Sequence, residues 1–269
     1  MDTIRIIIEE HRLLGFRQIT KLAKSDLVKK YRGAALGWAW ALVKPAVRIF
    51  VFWFAFSIGM KGGKPINGYP WILWLIAGFL PWFYMQEMIS GGAGCIRKHK
   101  HLVTKMRFPV STIPTFSSLS SLYIHWVLLA AAIIIFACTG HFPDKYYLQI
   151  PFYMLLMFVF FTVWALGGGL LAALSKDFQN LVKSIQTAIF WLSGVMYDVN
   201  KINNHTIRVI LKFNPITVIA SGYRKVFIYK EWFWEDKTEL LCFSVTLLAF
   251  CILAIWAFRR LRKEVPDVL

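Results

Sequence analysis

Six long apolar segments alternate with shorter polar segments along the chain. Each is close to the roughly 20 residues that an α-helix needs to cross the hydrocarbon core of a bilayer. They lie at about 38–60, 69–90, 112–138, 150–174, 179–199 and 239–258. The pattern predicts an all-α polytopic membrane protein, with six transmembrane helices in a domain that spans residues 38–258.

The N-terminal region, residues 1–37, has the pattern of an amphipathic helix that lies on the membrane surface. On a helix over 3–30, residues spaced by three or four form one apolar stripe, which consists of Phe16, Ile19, Ala23 and Leu27. Basic residues occupy most of the remaining helix surface, which is typical of interfacial helices. The pattern leaves two roles open: a surface anchor, or an arm that also binds a cytoplasmic partner.

The distribution of Lys and Arg orients the chain in the membrane. The segments on the side of the two termini are 1–37, 91–110, 175–184 and 259–263. They carry 19 Lys and Arg residues, against 10 in the loops on the other side. Because cytoplasmic loops carry the excess of basic residues, both termini are predicted to be cytoplasmic. Residues 259–269 then form a basic cytoplasmic tail.

Two connecting segments have an unusual composition. Residues 97–107 are short and strongly basic, and by themselves they are equally well explained as a signal for membrane topology. Residues 200–238, on the outer side, are long and fairly apolar. Because Asn214-Pro215 and several basic residues interrupt this outer segment, it predicts two short helices that re-enter the membrane partly, and not a seventh span.

The composition agrees with a membrane protein. Of the 269 residues, 58% are hydrophobic and 17% are charged, whereas soluble domains carry roughly 25% charged residues. The net charge of +17 does not indicate nucleic-acid binding, because the basic residues flank apolar spans and do not form a hydrophilic basic domain. The four cysteines show no CxxC or Cys/His spacing, so we expect them to be structural.

No pattern of catalytic or metal-binding residues stands out. The sequence has no Walker A, HExxH, GxSxG or Asp-rich motif, so we expect no enzyme activity, cofactor or metal in this chain by itself. Glu87 is a lone acid in the second predicted span. Such an acid is either a hydrogen-bonded contact between helices or a proton carrier, and both roles stay open.

Several short motifs follow one another in a characteristic order. The strongest marks the entry to the first span, with Asp26, Lys30-Tyr31-Arg32-Gly33, Leu36-Gly37, Trp40 and Pro45. Others are 102–109, Lys176-Asp177-Phe178, 193–197, Asn214-Pro215 and the tail 259–269. Together they resemble the membrane subunit of type-2 ABC exporters, in the branch that moves lipid-linked polysaccharides, O-antigens, capsules and wall teichoic acids. Lys44 and Ser193-Gly194 depart from the pattern, since Asn and Ser-Pro are common there.

The resemblance implies a homodimer in the bacterial plasma membrane, with two copies of a separate cytoplasmic ATPase that binds ATP and magnesium. Residues 97–107 would be a coupling helix seated in a groove of the ATPase, and residues 1–37 would be an interface helix that also contacts it. The first and fifth spans of both copies would line the path of a polyprenyl-linked glycopolymer through the membrane lipids. Residues 200–238 would form the outer gate.

The resemblance and the placement of charges assign candidate site residues. The expected ATPase-coupling residues are Arg97, Lys98, His99, Lys100, His101, Leu102, Val103, Lys105 and Arg107. The basic residues expected to hold phosphate groups at the entrance are Lys29, Lys30, Arg32, Lys44 and Arg48. The aromatic residues expected along the path are Trp38, Trp40, Trp53, Phe190, Trp191 and Tyr197.

The basic residues of the outer segment favour polyanionic wall teichoic acid as the cargo, with O-antigen or capsule next. Two functions of other classes remain open. One is a proton-coupled secondary transporter that uses Glu87, although no internal repeat is evident. The other is a scaffold of a glycan-assembly complex that transports nothing.

Overall fold

The computed structural model describes residues 2–60, 62–105 and 108–269 of the chain. Among these residues, the only strand-like pairing is an isolated bridge between Ile66 and Tyr69. The α-helices are α1 (Asp2–Tyr31), α2 (Trp40–Trp53), α3 (Trp71–Glu87), α4 (Cys95–Lys98), α5 (Lys100–Lys105), α6 (Thr112–Cys138), α7 (Ile150–Leu174), α8 (Lys176–Leu192), α9 (His205–Lys212), α10 (Pro215–Arg224), α11 (Lys237–Leu261) and α12 (Val265–Val268). The predicted all-α fold class is confirmed.

Five helical segments of the described residues are long and apolar enough to cross a membrane. They are Gly37–Gly59, Trp71–Gly92, Thr112–Cys138, Lys145–Leu174 and Lys237–Leu261. They coincide with five of the six predicted spans, and their ends differ from the predicted ends by a few residues. The chain therefore has the helices of an integral membrane protein.

The predicted span at 179–199 is the exception. Helix α8 ends at Leu192, and a turn follows in which Gly194 has a φ of 65°. The 17 residues of α8 rise only about 26 Å, which is less than the roughly 30 Å of a bilayer core. The six-span count is not confirmed, and a membrane crossing by α8 stays a prediction.

The N-terminal helix covers the predicted range 3–30, with a break at Gly15, where φ is 66° and ψ is 152°. Ile19, Ala23 and Leu27 are buried, and α1 packs mainly against α6. Phe16, expected in the same stripe, is 79% exposed because the break directly before it ends the regular helical face. The apolar stripe thus packs against the rest of the protein. The location of α1 on the membrane surface stays a prediction.

Helix α3 lies at the centre of the bundle. All of its residues from Leu73 to Trp82 are buried, and it packs against α6 and α10. In contrast, α2 buries only Ala41 among its described residues. The Ser/Thr-rich start of α6 faces this core, with Ser111, Thr112, Ser117, Ser118, Ser120 and Ser121 buried. The burial of these hydroxyl-bearing residues shows that this polar run packs within the protein.

The outer segment and the C-terminal tail both pack on the bundle. Helices α9 and α10 are separated at Asn214-Pro215 as predicted, because the Asn214 side chain accepts a hydrogen bond from the Ile216 N–H and Pro215 opens α10. Re-entry of these helices into the membrane stays a prediction. At the other end of the chain, α12 packs against α5 and α7, and its Val265 is buried.

Candidate functional site

Three adjoining clefts lie beside the C-terminal end of α3. The first, of about 290 Å³, lies between α1, α3, α4 and α6. The second, of about 230 Å³, lies between α1, α2, α3 and α6. The third, of about 400 Å³, lies between α2, α3 and α8.

Shared residues join the three clefts into one line. The first and second clefts share Lys30, Glu87 and Ser121. The second and third share Arg48, Gln86 and Gln186. The line begins beside the predicted coupling segment and ends beside the aromatic residues at the C-terminus of α8.

Basic side chains dominate the second cleft. Lys30 comes from the last turn of α1, and Lys44 and Arg48 come from one face of α2, as their four-residue spacing predicts. Among the described residues that line this cleft, Glu87 is the only acid, and its Oε1 lies 2.8 Å from Lys30 Nζ. The cleft therefore favours an anion. The other basic residues assigned to the entrance are exposed outside the clefts, namely Lys29 and Arg32.

Amide groups and aromatic rings line the third cleft. Arg48 donates a hydrogen bond to Gln86 Oε1, and Gln186 Nε2 donates to the backbone oxygen of Gln86 at 3.2 Å. These bonds tie α2, α3 and α8 together at the junction with the second cleft. The aromatic lining consists of Phe52, Trp82, Phe190 and Trp191. Apolar rings beside a few polar groups are typical of a site that binds an organic ligand.

The sequence analysis did not identify the polar residues that α8 contributes to the third cleft, which are Lys183, Gln186 and Thr187. Their spacing indicates a shared helix face, because Lys183, Thr187 and Phe190 follow one another at intervals of four and three residues. Gln86 is four residues from Trp82 and faces the same cleft. A polar stripe within a predicted span points to such a lining.

The aromatic residues assigned to the path divide into two sets. Three line the clefts: Trp40, Phe190 and Trp191. Trp38 instead stacks on Tyr31, with ring centres 5.5 Å apart. Trp53 lies beside Phe50, and the Tyr197 hydroxyl donates to a backbone oxygen of α8 at 3.0 Å. These last three residues lie outside the lining of the described clefts.

Asp26 joins α1 to the predicted coupling segment. Its nearly buried carboxylate accepts hydrogen bonds from Lys98 Nζ at 2.7 Å and from His99 Nε2 at 3.2 Å. The Nδ1 atom of His99 lies 2.9 Å from the backbone oxygen of Cys95. Burial raises the pKa of the Asp26 carboxyl, but the hydrogen bonds from His99 and Lys98 outweigh burial and hold that pKa well below its usual value. The carboxylate therefore stays charged and fixes the coupling segment to α1.

Several of the predicted coupling residues point into the bundle. Arg97 donates to the backbone oxygens of Ala172 and Ala173, both at 2.8 Å. Both acceptors lie in the last turn of α7, where carbonyl groups lack helical partners and a cation is favourable. Val103 is buried and Leu102 is half-buried. These side chains hold the segment in place.

The remaining coupling residues include an exposed basic set. Lys100 and His101 are exposed, and the Lys98 side chain is 55% exposed despite its bond to the Asp26 carboxylate. Arg107 and the side chain of Lys105 lie outside the part of the chain that the structure describes. Lys98, Lys100 and His101, named the docking set below, are accessible to a partner on this side.

A model of the ABC-2 type transporter family matches residues 17–228, which is most of the chain. The chain belongs to the ABC-2 type transporter family. This ABC-2 transporter is 25% identical to the O-antigen export system permease protein RfbA of Myxococcus xanthus. The aligned region covers 98% of this chain and 99% of that protein. It is 20% identical to the protein of the same description from Klebsiella pneumoniae. That aligned region covers 94% of this chain and 95% of the relative. The resemblance to type-2 ABC exporter permeases of the polysaccharide and O-antigen branch is confirmed.

In this ABC-2 transporter, the buried side chain of Arg224 holds the turn that follows α8. Arg224 donates to the backbone oxygens of Gly194 at 2.6 Å, of Val195, and of Tyr197 at 3.3 Å. Its guanidinium carbon also lies 3.5 Å from the centre of the Trp74 ring. In the sequence, Arg224 is one of the basic residues that interrupt the outer segment, and its spacing does not predict this contact. This side chain holds the end of α8 beside the third cleft.

Proposed function

We propose that this ABC-2 transporter is the membrane subunit of an ATP-driven exporter that moves a lipid-linked glycopolymer across the bacterial plasma membrane. The line of three clefts beside the C-terminal end of α3 carries the proposal, since its second cleft is rich in basic side chains and its third cleft in aromatic ones. A glycan cannot cross roughly 30 Å of hydrocarbon unaided, because each polar group would lose its water at a cost of several kcal/mol. The cleft lining offers amides, hydroxyls and ring faces in place of that water.

The second cleft is the proposed entrance for the lipid carrier. Lys30, Lys44 and Arg48 line it together, and cationic side chains of this kind bind phosphate groups through charge-assisted hydrogen bonds. The polyprenyl chain would remain in the membrane lipids beside α2, whose apolar side chains are largely exposed. In this arrangement the sugars enter the third cleft, where Phe190 and Trp191 offer aromatic surface.

The charges of the outer segment do not favour a polyanionic cargo once their partners are considered. Three of its basic residues are paired: Lys212 with Asp236, Lys225 with Glu239, and Lys230 with Asp144. The two relatives are described as O-antigen export permeases. We therefore propose an O-antigen-type polysaccharide as the cargo, ahead of capsule and of wall teichoic acid.

A homodimer would close the open side of the clefts. Helix α2 exposes Leu42, Val47, Phe50 and Val51, and α8 exposes Leu181, Ile185, Trp191 and Leu192. Both helices also line the third cleft. A second copy related by twofold symmetry would cover these apolar side chains and supply the opposite wall of the path.

The energy for export would come from a cytoplasmic ATPase bound in two copies, with ATP and magnesium in that partner, because this chain has no Walker A motif. The docking set would contact it. We expect the detergent-extracted wild-type chain to co-purify with the ATPase, and a Lys100→Glu/His101→Glu variant to lose it, because the contact loses the positive charge of Lys100 and gains two carboxylates.

A matched control is Lys201→Glu/His205→Glu, which makes the same exchange at exposed residues of the outer segment and should retain the ATPase. If neither the wild type nor the control binds an ATPase, the exporter proposal is wrong and the scaffold becomes the better hypothesis. A proton-coupled secondary transporter is not proposed, because Glu87 is paired with Lys30 and the family is that of ABC-2 transporters.

A further inference from the structure

We propose that Glu87 is a built-in competitor for the phosphate groups of the substrate. With no substrate present, its carboxylate occupies Lys30, and an organic diphosphate displaces it. This inference rests on the proposed function, because it names the substrate chemistry recognised at the second cleft. The pair thereby disfavours anions that contact Lys30 too weakly to displace the carboxylate.

The ion pair lies at the junction of the first two clefts. Lys30 Nζ is 2.8 Å from Glu87 Oε1, and both side chains line both clefts. The Lys30 and Glu87 side chains are 30% and 46% exposed, so solvent and solutes reach them. An ion pair in such contact with water is weak. A more highly charged anion can therefore take the place of the carboxylate.

The charges around the pair favour a diphosphate over a monophosphate. Lys30, Lys44 and Arg48 line the second cleft together with Glu87, which is the only acid among the described residues that line it. A diphosphate presents enough charge and oxygen atoms to contact all three cations at once. A monophosphate makes fewer of these contacts, and it has to displace the same Glu87 carboxylate from Lys30. The cost of displacing Glu87 is common to both ligands, so Glu87 raises the Kd of both, and the preference for the diphosphate comes from its contacts with the three cations.

The surroundings of Glu87 leave its side chain room to move. A π-helical turn, Met88–Gly92, follows it directly. A Cβ atom on Gly91 would lie 3.3 Å from Glu87 Oε1, so the glycine leaves space beside the carboxylate. Ser90 and Ser121 also line the second cleft. Their hydroxyl groups offer donors to a carboxylate that has left Lys30.

The test measures binding of farnesyl diphosphate and farnesyl phosphate to the full-length transporter with its ATPase in lipid nanodiscs, by titration calorimetry. We expect Glu87→Gln to lower the Kd for farnesyl diphosphate about two- to fivefold, the range that a solvent-exposed ion pair allows. The Kd for farnesyl phosphate should fall by no larger a factor, because Glu87 opposes both ligands and the preference for the diphosphate comes from the three cations. Lys30→Gln should raise the Kd for the diphosphate, and in that background Glu87→Gln should add little.

The control is Glu235→Gln, which neutralises an exposed acid of the outer segment and should leave both Kd values unchanged. An unchanged or higher Kd for the diphosphate in Glu87→Gln would overturn the inference. An equal gain in the Lys30→Gln background would also overturn it, because the effect would then be general charge and not competition for Lys30. Either result in a complex that retains its ATPase leaves the proposed exporter function intact.

Discussion

Asp26 connects two elements through one carboxylate. Lys98 and His99 both donate to its Oδ1 atom, so α1 and the start of the coupling segment are held together by charge-assisted hydrogen bonds. Because these bonds hold the Asp26 pKa below its usual value, they stabilise the folded state only while the carboxylate is ionised. The strength of this contact should therefore depend on pH.

Replacing Asp26 by Asn keeps the shape of the side chain and removes its charge. We expect the free energy of unfolding to fall by about 1–3 kcal/mol at pH 7, as is typical when a buried charge-assisted hydrogen bond is lost. The unfolded-state pKa is about 3.9 and the folded-state pKa is lower. The stabilisation is thus complete above the unfolded value and is lost as the pH falls toward the folded value. Thermal unfolding at pH 7 and pH 3 measures this dependence.

The matched control for this prediction is Glu9→Gln, which removes an exposed acid of the same helix that is paired with Arg5 at 2.9 Å. It should change the unfolding midpoint little, because exposed ion pairs contribute little stability. A difference between wild type and Asp26→Asn that is the same at both pH values would contradict the assignment of the charge.

The sequence predicts residue contacts where local spacing determines them. Lys44 and Arg48 line one cleft, as their separation of four residues indicates. Arg224, by contrast, binds the turn at Gly194, 30 residues away, and a Cβ on Gly78 would collide with its guanidinium. No local pattern reveals that contact, because it depends on how α3, α8 and α10 pack together.

At the scale of elements, hydrophobic length predicts the long spans because the bilayer sets a minimum length for a crossing helix. It does not predict the end of α8, since apolar residues resume at Val195 directly after the turn, and the turn at Gly194 with its positive φ ends the helix. Amphipathic spacing predicts α1. The apolar face of α1 packs against α6. The spacing of apolar residues within α1 does not reveal this contact, because it carries no information about the position of α6.

Ala23 tests the contact between α1 and α6. This residue is fully buried, so we expect Ala23→Leu to overpack the contact and to cost about 1–3 kcal/mol. Helix α1 should then separate from the bundle more often. Limited proteolysis of the purified chain measures this separation as faster cleavage within α1.

The neighbouring variant Lys24→Leu introduces the same side chain on the exposed face of α1 and should leave the cleavage rate unchanged. Equal cleavage rates in Ala23→Leu and wild type would contradict the packing of α1 on α6. They would favour a helix held only by the membrane surface.

At the scale of the whole molecule, the clefts connect the coupling segment with the end of α8. The sequence contains the basic and aromatic residues of this line, but it does not order them, because their alignment along α3 depends on the packing of α1, α2, α6 and α8. Helices α2 and α8 line the third cleft and also expose apolar side chains. In the proposed homodimer, a second copy of the chain would complete the path.

Photo-crosslinking of the glycopolymer during export tests the proposed path through the third cleft most directly. A benzophenone is attached to Thr187→Cys in the third cleft, in a Cys138→Ser/Cys251→Ser background that removes the more accessible native thiols. The control is Leu248→Cys in α11, where Leu248 is 63% exposed. Labelling of the polymer from position 187 but not from 248, and only with ATP, is the predicted result. Labelling from neither position in an exporting membrane, or equally from both, would contradict the path.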